Sequence, residues 1–492
     1  MRQQIALTAV CAAFVGGCAA THFENLPLQG NPNNEERRYI DDSQKDRPQI
    51  LVGISGGGSR AAALGWAVLK ELSRYQYQSG GATRRLVDDV AVVSSVSGGS
   101  VIAAYFGLYG PDKLDAFKPE FLDPDNMATL ERSAVDPITW FKLAITGASR
   151  IQVEEQLFDR QVFHNRTFAD LNQPGKPFII LNASDMASGE VFAFTPQRFD
   201  DICSDFDKEP ISVGVAASAA FPIALTPVPF RNYSAETAAN TSANPSADTC
   251  KGRPVPEWIT QHLTGRYGAY LNVEEYKRAR YANDLRHGPN NFRQIDYLYF
   301  MDGGLVDNVG VHSLLTEISS PEGISGLLFK ITTGSVKRVV VLLINARSDA
   351  PSSVSTSPKL PGVIDMIGSV TSVPIDATTA SVNAQMEVLV EQLKQAAKSA
   401  PPDALFGQLK VYSIQIDFDQ LRGNVAEQKE LRDKVKAVPT AWTISANDLA
   451  TIETAGNMLL DNHPCFQRLL LDLGVPAAPF VDRTFAETGC SP

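Results

Sequence analysis

Between Gln49 and Leu108 the chain twice repeats one pattern: a short continuous apolar run, a Gly/Ser-rich turn, then a helical stretch. The first run is Ile50-Leu51-Val52-Gly53-Ile54. It is broken by Gly56-Gly57-Gly58-Ser59-Arg60 and followed by Ala61 to Tyr75, where Leu64, Val68, Leu69 and Leu72 fall on one side. The second is Val90-Ala91-Val92-Val93, with Ser97-Gly98-Gly99 as its turn and Val101 to Leu108 as its helix. A strand that is apolar at successive positions suits a sheet covered on both faces. Further strands are expected at Phe178–Leu181, Tyr297–Met301, Val339–Ile344 and Val411–Ile416, with helices between them, notably Ile375–Ser399 and Leu449–Leu460. Ser445 is a plausible N-cap for the last of these, with Asp448 three residues on. Strands alternating with helices imply an α/β fold with a mostly parallel sheet. Ligands of such sheets sit at the carboxyl ends of strands, where both Gly-rich turns fall.

Composition narrows the function classes. The 492 residues are 44% hydrophobic and 20% charged, an ordinary globular balance. A formal net charge of −11 leaves no overall basic field to hold nucleic acid. Neither an HExxH motif nor a zinc-spaced Cys/His cluster occurs, so no metal and no other cofactor is expected.

The chain starts MRQQIALTAVCAAFVGGCAA, in which Arg2 leads the apolar run Ile5–Val15. This reads as an export signal, too short to span a membrane. Val15-Gly16-Gly17-Cys18 resembles a bacterial lipobox, in which cleavage before the Cys leaves a lipid-modified N-terminus; cleavage after Ala20 is the alternative. Residues 1–17 are thus the expected signal peptide and 18–48 a polar tether. Ala19 after the Cys points to an outer-membrane lipoprotein, or otherwise a periplasmic protein, of a Gram-negative bacterium. Cys203, Cys250, Cys465 and Cys490 remain. An even number in an exported chain suggests disulfides, with the local pairs Cys203–Cys250 and Cys465–Cys490 expected and buried free thiols the alternative.

A nucleophile elbow needs a strand, a sharp turn and a helix, with small residues two places either side of the serine. Gly53-Ile54-Ser55-Gly56-Gly57 fits, and Ser95-Val96-Ser97-Gly98-Gly99 fits with Ser95 in the first Gly place. Nucleotide binding at the first turn is weak: no Gly-Lys-Ser/Thr follows, and Ala61 occupies the last Gly position of a dinucleotide fingerprint. The same glycine amides, at a helix start, suit an oxyanion hole braced by Arg60. A third element, Tyr297-Leu298-Tyr299-Phe300-Met301-Asp302-Gly303-Gly304, brings a carboxylate off an apolar strand into a flexible turn. It is either a turn Asp bonding backbone N–H groups or a base facing the nucleophile. His312 supplies a rival Ser, Asp, His order.

Gly56-Gly57-Gly58-Ser59-Arg60, then Ser95-Val96-Ser97-Gly98-Gly99, then Asp302-Gly303-Gly304, in this order, resemble the patatin-like phospholipase family. Asn182-Ala183-Ser184-Asp185 and Ala216-Ala217-Ser218-Ala219-Ala220-Phe221-Pro222 resemble it too. The resemblance covers about residues 49–346, with an insertion near 233–290, and leaves 347–492 as a C-terminal extension packed on the core. It implies a three-layer α/β fold and a Ser–Asp dyad without His that hydrolyses lipid acyl esters. Ser97 would be the nucleophile, Asp302 its partner and Gly56, Gly57 and Gly58 the oxyanion loop. Ser95 and Ala61 stand where the family usually has Gly. The partners implied are a lipid or acyl-ester substrate and a membrane surface. Asp136 to Ile145, apolar and Trp-containing, is either an interfacial lid or a core helix. A non-catalytic lipid-binding or scaffold lipoprotein of the same fold is the competing reading.

Overall fold

The computed structural model describes residues 25–29, 47–135, 150–222, 225–234, 255–264, 273–287, 295–319, 327–332, 336–348, 363–401, 404–421, 426–475 and 490. The export signal with Cys18, most of the tether, the run 136–145, Cys250 and most of the Ala/Ser-rich stretch after Tyr233 lie outside them.

The apolar runs become the centre of a sheet. Its strands are β1 (Gln49–Ile54), β4 (Val90–Val96), β5 (Phe178–Asp185), β6 (Val191–Phe194), β7 (Val228–Arg231), β8 (Tyr297–Asp302), β9 (Arg338–Asn345) and β10 (Lys410–Asp417). A separate hairpin holds β2 (Gln76–Ser79) and β3 (Ala82–Arg85). Across the sheet the order is β10-β9-β1-β4-β5-β8-β7, with β6 also on β5. From β10 to β5 every pairing is parallel, whereas β6, β7 and β8 pair antiparallel.

Helices cover both faces. On one side lie α1 (Gly58–Leu72), α2 (Gly98–Tyr109), α3 (Arg150–Phe158), α4 (Ile211–Ala219), α7 (Ala446–Asp461) and α8 (Pro464–Asp472); on the other lie α5 (Val311–Ser319) and α6 (Val363–Ser399). Ile50, Val52 and Ile54 of β1 pack into the first layer and Leu51 into the second. Side chains alternate along a strand, so a strand buried on both faces needs apolar residues at odd and even positions alike. That is the physical reason the run is continuous.

Residues beyond 347 do more than pack on the core. β10 pairs with β9 in unbroken register from Lys410 opposite Arg338 to Asp417 opposite Asn345. α7 lies on α1, where a Cβ on Gly456 would come within 3.1 Å of Leu64 and 3.3 Å of Ala67. Ser445 caps α7 by accepting the Asp448 N–H, as its sequence position suggests. Cys465 and Cys490 are joined by a disulfide, and Cys203 is also disulfide-bonded. Within the 233–290 insertion, Glu257–Leu263 and Val273–His287 are helices, and Tyr281 is buried with its hydroxyl on Asp185.

Candidate active site

The two Gly/Ser turns stand side by side because their strands are neighbours, with Ile54 opposite Ser95. After β1 the backbone keeps its sheet-like bonds for two more residues: Ser55 N–H donates to Ile344 and Gly56 N–H to Asn308. The reversal falls on Gly57 (φ 134°) and Gly58 (φ 58°), conformations that favour glycine. Gly58 opens α1, so the N–H groups of Gly57 and Gly58 have no partner within the helix. The Gly56 N–H is already spent, which narrows the expected three-amide loop to two.

After β4 the turn is sharper. Ser97 itself takes φ 51°, ψ −122°, rare for a residue with a Cβ, and α2 starts at the next residue. Close approach enforces this. A Cβ on Gly98 would run into the Gly58 carbonyl, and one on Gly99 would lie 2.6 Å from the Ser55 carbonyl oxygen. The Ser97 N–H is held by the Ser218 hydroxyl at 2.9 Å, and Ser218 in turn donates to the Asn182 carbonyl at 2.6 Å. Ser95 fits because its hydroxyl faces the buried Ser100 hydroxyl, 3.2 Å away, and the Ile180 carbonyl at 3.3 Å.

Asp302 arrives from an antiparallel strand. Ala183 pairs with Asp302 and Asn182 with Val96, so the end of β8 reaches the level of the elbow. Its N–H donates to the Ala220 carbonyl at 3.0 Å, and the Ser184 hydroxyl donates to its carbonyl at 2.9 Å. Its carboxyl accepts the Gly304 N–H at 2.8 Å, and the Ser97 hydroxyl lies near enough to favour its anion. Asp302 is 6% exposed. Burial pushes its pKa up to about 6, although the bond from Gly304 and the nearby Ser97 hydroxyl favour the anion.

Arg60 is buried, which lowers its pKa to about 10. It donates to the carbonyls of Ala346 and Val438 and to the Thr440 hydroxyl. The Ser59 N–H bonds Ala441 at 2.7 Å. The Gly loop is thereby clamped between the end of β9 and a C-terminal segment. Ser55 is fully buried; its hydroxyl donates to the Gly56 carbonyl and accepts the Ala346 N–H. His312 sits in the first turn of α5, its N–H bonded to Asp307. It lines a cavity of about 360 Å³ with Arg198, Tyr281 and Thr378; neither Ser97 nor Asp302 is among its walls. Among the described residues no group of three His, Cys, Asp or Glu is arranged to hold a metal ion.

Ser218, Ala220 and Asn182 hold the backbone at Ser97 and Asp302, yet nothing in local periodicity marks them. Their signal is the pair of short stretches, 182–185 and 216–222, that carry the family resemblance.

Residues 53–240 match the family model described as patatin-like phospholipase. The fold is similar to human GIVD cytosolic phospholipase A2, at 11% identity and a TM-score of 0.45, over 89% of this chain and 63% of that one. It is also similar to that protein in complex with methyl gamma-linolenyl fluorophosphonate, at 10% identity and a TM-score of 0.38, over 90% of this chain and 60% of that one. The chain thus spans under two thirds of those proteins' length. No curated protein matches the sequence. The matched span holds the Gly loop, the elbow, Asn182 and Ser218, while Asp302 follows it on the same sheet. The likeness to the patatin-like phospholipase family is thus carried by residues 53–240.

Proposed function

We propose that the chain is a lipid acyl hydrolase that cleaves carboxylic esters, phospholipids or lysophospholipids among them, through an acyl-enzyme on Ser97 with Asp302 as general base. The observation that carries this reading is the Ser97 hydroxyl at the strained elbow beside the buried Asp302 carboxyl, whose pKa burial raises to about 6, next to two uncommitted backbone N–H groups. A free serine hydroxyl is a weak nucleophile and needs an adjacent base. A carboxylate with a pKa near 6 is ionised at neutral pH, yet basic enough to share the proton in the transition state.

In the first half-reaction Ser97 Oγ attacks the ester carbonyl carbon while Asp302 takes its proton. The developing oxyanion meets the Gly57 and Gly58 N–H groups at the start of α1. Asp302 then gives the proton to the leaving alcohol oxygen as the carbon–oxygen bond breaks. In the second half-reaction water attacks the acyl-enzyme, Asp302 accepts its proton and returns one to Ser97 Oγ as the acid departs.

The test is a fluorophosphonate probe on the full chain, alongside an ester panel. Modification of the Ser97 peptide together with ester turnover is the expected result. Absence of both in the presence of lipid overturns the reading in favour of a binding module. His312 is not needed in this scheme.

The reading extends to export and anchoring, which rest on the sequence of residues 1–20 and on the disulfides, a pattern of oxidising compartments. Cys18→Ser is expected to move the protein from the membrane to the soluble fraction. Wild-type protein that is already soluble and begins at Thr21 overturns the anchor. Non-reducing peptide mapping checks the Cys203–Cys250 pairing.

A further inference from the structure

β1 is buried on both faces, but β8 on one face only. Leu298, Phe300 and Asp302 point into the core, while Tyr297 and Tyr299 are exposed and Met301 is half-buried. An antiparallel strand with one solvated face normally turns polar side chains outward. Here that face carries two aromatic rings, and neighbours enlarge it. Pro229 pairs with Tyr299 and Arg231 with Tyr297, which puts them on the same face. Met186, 61% exposed, donates its N–H to the Tyr299 carbonyl. Phe221, also exposed, follows Ala220, whose carbonyl holds the Asp302 N–H. Leu26, 51% exposed, follows Asn25, whose side-chain amide accepts the Arg231 N–H and donates to the Arg231 carbonyl. Five of the seven large apolar side chains exposed among the described residues thus gather around β8. Apolar surface concentrated in this way marks an interaction site.

The strand register fixes which end of the sheet this surface occupies. β5 ends at Asp185, opposite Phe300, so Tyr299 and Tyr297 carry β8 past the carboxyl end of β5. Ser97 stands at the carboxyl end of the neighbouring parallel strand β4. The aromatic face and the elbow therefore lie toward the same end, with Tyr297 about 17 Å along β8 from Asp302. The path of the chain points to the occupant. Asn25 is pinned to β7 at Arg231, and Cys18 lies seven positions before it. Seven residues reach at most about 25 Å. A lipid on Cys18 thus keeps a bilayer within one short span of Arg231 and its pair partner Tyr297.

We propose that Met186, Tyr297 and Tyr299, with Leu26 at their edge, form the surface by which the protein lies on a lipid bilayer. This rests on the anchoring at Cys18 proposed above. Tyrosine suits the role, since its ring enters the headgroup layer while its hydroxyl stays with water. Contact here brings the elbow's end of the sheet close to the bilayer.

The experiment uses the full chain carrying Cys18→Ser, so that no acyl anchor contributes. Phosphatidylcholine vesicles, with neutral headgroups, leave net charge out of the comparison. One variant adds Met186→Thr, Tyr297→Thr and Tyr299→Thr, which keep strand propensity but remove the apolar surface. Another adds Met186→Leu, Tyr297→Phe and Tyr299→Phe, which keep that surface. The partition coefficient onto vesicles, read by flotation, is expected to fall about 10-fold or more in the first and to stay within about threefold in the second. Circular dichroism of both is expected to match the parent. Met186→Thr alone lies in the turn after β5 and leaves the strand untouched; it is expected to lower partitioning about threefold, whether or not the triple variant folds. No flotation of the parent, or unchanged flotation in the folded Thr variants, overturns the lipid contact. A parent that elutes as a dimer and a Thr variant that elutes as a monomer, with flotation unchanged, also overturns it and gives the face to a second copy. The anchor fails separately: wild-type protein that is soluble and begins at Thr21 overturns the lipid on Cys18, while the flotation comparison still decides the face.

Discussion

Ser55 and Ser97 stand at the carboxyl ends of adjacent parallel strands, each in a small-residue turn that leads to a helix. Their hydroxyls have opposite surroundings. Ser55 is locked between the Gly56 carbonyl and the Ala346 N–H at 0% exposure. Ser97 sits at 8% exposure with its hydroxyl beside the Asp302 carboxyl. The difference lies in where the chain reverses. In the first turn the positive φ falls on Gly57 and Gly58, after the serine, and the helix starts at Gly58. In the second it falls on Ser97 and the helix starts at Gly98. A serine that carries the reversal is turned out of the sheet's bonding pattern, whereas one that precedes it extends that pattern. The first turn is left with uncommitted amides and the second with a hydroxyl beside the Asp302 carboxyl, and the proposed chemistry needs both.

The sharpest break of this contrast is Ser97→Ala. It removes the only hydroxyl that the proposed chemistry uses for attack, so turnover should fall by about 10³-fold or more and probe labelling should vanish. Circular dichroism should remain unchanged, since the alanine keeps the N–H that Ser218 accepts.

Asp302→Asn comes next. Loss of a general base costs about 10²–10⁴ in rate. The same change should raise thermal stability at pH 7–8. The folded-state pKa of Asp302 lies at about 6, above its ordinary 3.8, so the fold prefers the protonated form. The ionised carboxylate is therefore a burden above pH 6, and wild-type protein should gain stability from this group as pH falls from about 6 towards 4. Activity runs the other way: kcat/KM should drop below an apparent pKa near 6. A pH–rate profile set beside a pH–melting profile checks both signs.

These two residues differ in how far the sequence exposes them. Helical periodicity starts the two helices at Ala61 and Val101, three residues later than the structure does in each case. Yet the serine-to-helix spacing was already two residues longer at Ser55 than at Ser97, and that spacing is what shifts the reversal onto glycine in one turn and serine in the other. Asp302 was legible as a carboxylate at a strand end. Its antiparallel strand was not, because direction depends on pairing with β5 and β7, to which local pattern is blind. The parallel strands β1, β4 and β9 were legible since burial on both faces writes itself into nearly every position, and the edge strand β10 through the buried run of Val411, Tyr412, Ile414 and Ile416. β6 and β7 are four residues each and leave too little pattern to read. The clamp of Arg60 on Val438 and Thr440 joins residues nearly 380 positions apart, a contact no local signal carries.

Gly58→Ala tests the amide half of the site. Gly58 has φ 58°, and a Cβ there would collide with the Ala441 carbonyl. The loop must shift, and misplacing an oxyanion donor costs about 10²–10³ in kcat. Probe labelling of Ser97 should slow in parallel, because phosphonylation also develops an oxyanion. Unchanged kcat would show that the loop amides do not face the substrate carbonyl.

The smallest expected effect on chemistry, and the one that sharpens the comparison most, is Ser55→Ala. By pattern alone Ser55 has the better claim, with Gly at both flanking positions of its turn. Its hydroxyl, however, already serves two backbone groups and bridges the end of β1 to the end of β9. Removing it leaves the Ala346 N–H unsatisfied in a buried setting, a cost of about 1–3 kcal/mol in stability. It takes no nucleophile from the site, since the reversal that would present one lies two residues further on. Labelling should therefore persist at a near-wild-type rate. Turnover should fall by no more than about 10-fold, through slackening of a loop whose Arg60 brace also ends on Ala346. Because the two effects separate, melting temperature and labelling rate on the same variant decide the case. A stable Ser55→Ala protein that no longer reacts would move the nucleophile to the first turn, and with it the assignment of every group around Ser97.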